Sequence, residues 1–146
     1  MERPTFETYD PAVAEMMMSQ SGGDGLTEYL GLRLVEVGPG TATAEVEVRP
    51  ELLQVFGAVH GGVVATLIDH VLGAAVFPAV PVGTWPATLE FKLNYLAAVR
   101  DGVIRATGRM LVLRRRTAVV QVDVTNDGRP VATALGTISL NPPKPG

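Results

Sequence analysis

Between residues 54 and 77 the chain reads QVFGAVHGGVVATLIDHVLGAAVF, one long apolar helical stretch set among segments that alternate apolar and polar residues. Upstream, YLGLRLVEVG and TATAEVEVRP alternate and are joined by GPGT, which is turn chemistry, so they form a hairpin. Downstream, ATLEFKLNYLAAV, VIRATGRMLVLRR, TAVVQVDVTN and PVATALGTISL each read as a strand, separated by RDG, a basic corner and NDGRP. Connections of this length imply an antiparallel sheet, and the alternation implies one buried face. The helix is the only element long enough to cover that face. Its Val63, Val64, Leu67, Ile68, Val71, Leu72, Ala75 and Val76 leave little polar surface, so the helix is expected to be enclosed on nearly all sides. The fold class is therefore α+β: five to six antiparallel strands wrapped around one helix.

The ends of the chain carry less. In DPAVAEMMMSQ, Asp10 is a plausible N-cap with Pro11 at the helix start, and SQSGGDG breaks the helix. The three methionines read as packing. The expected organisation is an N-terminal helix and linker over 1–25, the main domain over 26–141, and a frayed tail over 142–146. A chain of 146 residues makes one ordinary domain, and 47% apolar with 18% charged residues is a globular composition. The net charge of −3 argues against nucleic acid and against an anionic membrane surface. With no cysteine, disulfides, thiolate metal sites and a thiol nucleophile are excluded, which suits a reducing cytoplasm. The first residues lack the uninterrupted apolar region of a secretory signal. The central apolar run, interrupted by Asp69 and His70, reads as too short of clean hydrophobicity to span a bilayer. A cytoplasmic protein without nucleic-acid or membrane partners is the expectation.

GAVHGGVVATLIDHVLGAA, followed by LEFKLNYLAAV, RRRTAVVQVDV and GRPVATALGTISL, resembles the hotdog-fold acyl-CoA thioesterases, the PaaI-like and 4-hydroxybenzoyl-CoA thioesterase group. The likeness covers most of the chain after about the first thirty residues. It implies a hotdog fold and hydrolysis of an acyl- or aryl-CoA at sites built across a homodimer, with many relatives pairing dimers into tetramers. No cofactor is implied, because coenzyme A is part of the substrate.

The residues support the same chemistry. Gly61 and Gly62 fall in the first helical turn, where backbone N–H groups lack intrahelical partners and the macrodipole is positive. A thioester carbonyl placed there would have its oxyanion stabilised with no Cβ in the way, although the glycines also suit a tight entry into the helix. Asp69 lies eight residues further on, about 12 Å along the axis at ~1.5 Å per residue, too far for one carbon to touch both. If both act together, they come from two antiparallel helices related by a two-fold axis. A carboxylate on an enclosed helix would also be pushed by burial towards the pKa of a useful base. It could activate water or attack directly, and a thiol with pKa near 8.5 leaves as thiolate without a strong acid.

Further residues follow from the resemblance. Gln54 stands where many PaaI-like members carry Asn, and its amide could orient water and bond the substrate carbonyl. Thr88 matches a Ser/Thr that helps to place water. His60 is read as supporting the loop or the carbonyl, and His70 as interface or packing. Two histidines ten apart make no metal site. Arg114, Arg115, Arg116 and Thr117 form the one basic patch, suited to the phosphates of coenzyme A, with a solvated strand corner as the plainer reading. Phe56, Val59, Leu72, Phe77 and Trp85 are candidates for an apolar acyl pocket. Two other classes stay open: a hotdog enoyl-CoA hydratase or dehydratase, which normally wants a His paired with an acid, and a non-catalytic acyl-CoA binder.

Overall fold

Asp10 caps the first helix as its sequence suggests: its carboxylate accepts from the N–H groups of Ala12 and Val13, and Pro11 takes the first helical position of α1, Pro11–Ser19. This computed structural model describes residue 6 and residues 8–143. Of the tail, Lys144, Pro145 and Gly146 lie outside the described residues. A second short helix, α2, runs Gly25–Leu30 and closes on Gly31 in the left-handed conformation (φ 68°). It occupies residues read as break and strand; six residues are too few to show a period. α1 packs on β1 with Ala14 buried, so the segment before residue 26 is docked on the domain.

The hairpin forms as expected. β1, Arg33–Gly38, pairs antiparallel with β2, Thr41–Glu47, through Pro39 and Gly40, whose φ of 68° suits glycine. A 3-10 turn, Pro50–Leu52, leads to a loop and then to α3, Gly61–Val76. The helix runs into a second turn, Phe77–Ala79, where Pro78 ends it. Then follow β3 (Trp85–Tyr95), β4 (Val103–Leu113), β5 (Thr117–Asn126) and β6 (Arg129–Asn141). The six strands form one antiparallel sheet in the order β1-β2-β4-β5-β6-β3, which leaves β3 on an edge beside β6.

The sheet curves round α3, which touches strands across its whole width. Leu67, Ile68, Val71 and Leu72 are completely buried against it. The packing is close enough to require glycine in two strands: a Cβ on Gly108 would lie 2.6 Å from Val71, and one on Gly136 would lie 2.8 Å from Leu72.

Two expectations about α3 need correction. The segment Gly61–Ala79, 19 residues at mean hydropathy 1.6, is long and apolar enough to cross a membrane by length and composition. Here that apolarity faces the sheet. Nor is the helix enclosed on nearly all sides. Gly62 and Asp69 are exposed, and Ala65, Thr66, His70 and Gly73 are half-exposed, forming an open stripe at helical spacing. One sheet covers one side of the helix, and the residues at 62, 65, 66, 69 and 73 point away from it.

Ile68 sits at the centre of the buried side. Ile68→Ala is expected to lower the unfolding free energy by about 2–5 kcal/mol, read from urea denaturation, since the rigid sheet cannot collapse into the space left.

Candidate active site

The loop before α3 is held in place by its own polar groups. Gln54 accepts from the Phe56 N–H through Oε1, and Arg100 donates to the carbonyls of Phe56 and Gly57. Gly57, at φ 76°, provides the left-handed turn. His60 is the N-cap of α3: its Nδ1 accepts from the Gly62 N–H at 2.9 Å. Its carbonyl also accepts from the Val63 N–H.

This arrangement separates the two glycines. The Gly62 N–H, expected to meet substrate, is already occupied by His60. The Gly61 N–H donates to no acceptor among the described residues, and the carbonyl of its peptide unit accepts from Val63, which polarises it. The absence of a Cβ also has a local cause. Neither glycine has a left-handed φ, but a Cβ on Gly61 would lie 2.7 Å from the Tyr95 hydroxyl oxygen, and one on Gly62 would lie 3.0 Å from His60 Nδ1. Tyr95, on edge strand β3, donates from its hydroxyl to the Gly61 carbonyl at 2.8 Å. The sequence reading missed it, because nothing in LNY marks a contact 34 residues away.

Gly61, Gln54 and Tyr95 line one cavity of about 340 Å³ together with Val59. With Oε1 of Gln54 engaged, its NH₂ group remains as a donor on a residue that lines the same cavity as Gly61. A developing oxyanion needs hydrogen-bond donors of this kind within one small cavity.

Asp69 and Thr88 line a different and larger groove, of about 1000 Å³, on the open stripe of α3. Thr88 reaches it from β3 at a β-bulge: Thr88 pairs with Ile138 and Glu90 with Thr137, leaving Leu89 as the extra residue. The bulge places Thr88, Leu89 and Glu90 all along the groove, and Glu90 is a second carboxylate that sequence reading did not single out. Asp69 itself is exposed, so the burial expected to tune it is absent from a single chain. The structure thus gathers the predicted residues into two separate groups, Gln54 with Gly61 and Asp69 with Thr88.

Arg114, Arg115 and Arg116 lie together in a third groove, of about 710 Å³, with Ala79, Ser139 and Asn141. All three are exposed, and among the described residues the ion pairs engage Arg49, Arg105 and Arg109 instead. Thr117 closes the turn by accepting the Arg114 N–H on its carbonyl and does not line that groove. Of the acyl-pocket candidates, Phe77 and Trp85 line the Asp69 groove. Leu72 belongs to the core, and Phe56 is 83% exposed on its loop.

Residues 56–133, which include Gly61, Asp69, Thr88 and the arginine corner, match the thioesterase superfamily over more than half of the chain. The chain belongs to the thioesterase superfamily. Among relatives of this superfamily, a protein named 1,4-dihydroxy-2-naphthoyl-CoA hydrolase from Listeria monocytogenes is 29% identical over 103 residues, covering 70% of this chain and 84% of that one. The solved thioesterase PA1618 from Pseudomonas aeruginosa superposes with a TM-score of 0.80 at 26% identity, covering 94% of this chain and 98% of that one. The phenylacetic acid degradation protein PaaI from Thermus thermophilus gives 0.73 at 30% identity over 80% of this chain and 98% of its own. The hotdog fold and PaaI-like character expected from the sequence both hold, and thioester hydrolysis is the activity of the superfamily.

His70 adjoins Asp69 and also lines the groove. Burial pushes its imidazole below the usual histidine range, against a smaller upward pull from the Asp69 carboxylate. The fold therefore favours neutral His70, while the unfolded chain protonates at its ordinary pKa near 6.5. Stability is full above that pH and is lost as the pH falls through the lowered folded value. Thermal unfolding measured from pH 8 to 5 should show the wild type losing stability below about 6.5 more steeply than His70→Gln, with parallel behaviour above it.

Proposed function

We propose that the protein hydrolyses an acyl- or aryl-CoA thioester to the free acid and coenzyme A at sites shared between the two subunits of a homodimer. The observation that carries this is the division of the machinery along α3. The oxyanion donors of Gly61 and Gln54 border one cavity, and Asp69 and Thr88 border another, eight residues further along the helix. A two-fold axis between antiparallel α3 helices would bring the glycine end of one beside the acid of the other. The part of the open stripe between Gly62 and Asp69 is the surface such an axis would use.

In this reading the thioester carbonyl oxygen points at the Gly61 N–H and the Gln54 NH₂ of one subunit. Asp69 of the other takes a proton from a water held with the help of Thr88, and the hydroxide adds to the carbonyl carbon. The tetrahedral intermediate collapses by breaking the C–S bond. The thiol leaves as thiolate and takes up the proton held by Asp69, and the carboxylic acid product releases its own proton to solvent as it becomes the carboxylate. No cofactor or metal is required. His60, engaged as a helix cap, supports the oxyanion side indirectly, and this disfavours a hydratase that would need it as a base. The exposed arginine corner is assigned to the phosphates of coenzyme A. The proposal needs a dimer, which a dimer of dimers would preserve, and a cysteine-free chain suits a cytoplasmic enzyme.

Asp69→Asn should retain the fold and CoA-ester binding while kcat falls at least ~10²-fold. Near-normal turnover would remove Asp69 from the mechanism. Gln54→Ala should also be impaired, and mixing the two inactive variants with subunit exchange should restore about a quarter of wild-type sites, because one site of each mixed dimer is intact. Absence of recovery after verified exchange would place both groups in one chain. Arg114→Ala or Arg115→Ala should raise KM for CoA esters by several-fold more than for short thiol esters lacking phosphates; equal effects would argue against phosphate recognition.

A further inference from the structure

Gly73 is in the interior of α3, and no neighbour among the described residues requires it to be glycine. Its counterparts are all explained: a Cβ on Gly61, Gly108 or Gly136 would press within 3.0 Å of Tyr95, Val71 or Leu72. Among the described residues, a Cβ on Gly73 would meet nothing within 4 Å. Glycine is also, after proline, the least favourable residue in a helix interior. Gly73 lies one turn beyond Asp69 on the same face, about 6 Å along the axis, and both line the same groove.

Part of the wall beyond Gly73 comes from outside the superfamily match, which begins at residue 56. α1 touches the turn Phe77–Ala79 that follows α3, so it stands at the C-terminal end of the helix. From there Met16 and Met17 line the groove, joined by Leu26 of α2, with Trp85 and Phe77 alongside. Met16 is 44% and Leu26 59% exposed, both facing the open space. Methionine adapts its shape to varied apolar ligands.

We propose that this groove holds the acyl group, with Gly73 as floor and Met16 and Leu26 as walls, and that it selects apolar acyl groups larger than acetyl. The inference rests on the reading of Asp69 as the hydrolytic acid: a carbonyl carbon placed beside Asp69 can send its substituent over Gly73 into the apolar end. The N-terminal helices are then specificity elements that lie outside the residues matching the superfamily.

Trp85, the only tryptophan in the chain, provides a probe inside the groove. Non-hydrolysable S-octyl-CoA should shift Trp85 emission to shorter wavelength, while S-ethyl-CoA should leave it in place. Gly73→Leu should weaken S-octyl-CoA relative to S-ethyl-CoA by at least about 10-fold, and lower the octanoyl-CoA to acetyl-CoA ratio of kcat/KM by a similar factor. Gly73→Ala, which favours the helix, should shift both ratios in the same direction by less. Silent Trp85 with S-octyl-CoA bound, failure of either thioether to bind, or equal losses for both thioethers would overturn the proposal. So would a change in the sedimenting mass of Gly73→Leu, which would make Gly73 a subunit contact. If Trp85 responds and the binding ratio falls but no ester releases thiol, the acyl groove stands and the hydrolase reading fails.

Discussion

One sheet can cover only one side of a helix, and most of what is unusual in this molecule follows from that constraint. The inner side of α3 is buried to completion at Leu67, Ile68, Val71 and Leu72. Its outer side stays open at Gly62 and Asp69 and half-open at Ala65, Thr66 and Gly73. Residues there are small or polar, and Asp69 stands among them in the open. A carboxylate is expensive to bury and cheap to expose, so the isolated acid is no anomaly in the single chain.

Around the start of α3 each polar group can be followed to its partner. His60 takes the Gly62 N–H, Tyr95 holds the Gly61 carbonyl, and Gln54 and Arg100 fix the loop that precedes them. What remains without a partner among the described residues is the polarised Gly61 N–H and the Gln54 NH₂, on two residues that line the same cavity. The loop and cap are held by hydrogen bonds to several elements, so the backbone around Gly61 is fixed by the chain itself. Such advance positioning is the main source of oxyanion stabilisation in acyl transfer.

Periodicity in the sequence revealed the architecture because hydrophobic spacing reports burial directly. The TAVVQVDVTN segment became β5 at Thr117–Asn126 to the residue, and Asp10 capped α1 through two backbone N–H groups. What periodicity could not report was the state of the opposite side of a helix that lacks strongly polar residues. Ala65 and Gly73 look like core residues in a string of letters, and only the fold shows them uncovered. Gly62 was mistaken for a free donor because an imidazole cap cannot be told from an imidazole base by position alone. Tyr95, the bulge at Leu89 and the approach of Met16 to Asp69 arise from long-range packing, which leaves no local signature. The helix α2 was too short to declare itself.

Edge strand β3 borders both cavities, with Thr88 near one end and Tyr95 near the other. Seven residues of extended chain set them roughly 24 Å apart. Between them sits one supernumerary residue, Leu89, which changes the parity of the strand: Thr88 and Glu90 lie in successive registers with β6 as if nothing stood between them. Loss of that single position would turn one half of the strand over relative to the other. The phase of a ribbon, set by counting residues rather than by their chemistry, thereby decides whether both ends of this strand can serve one catalyst.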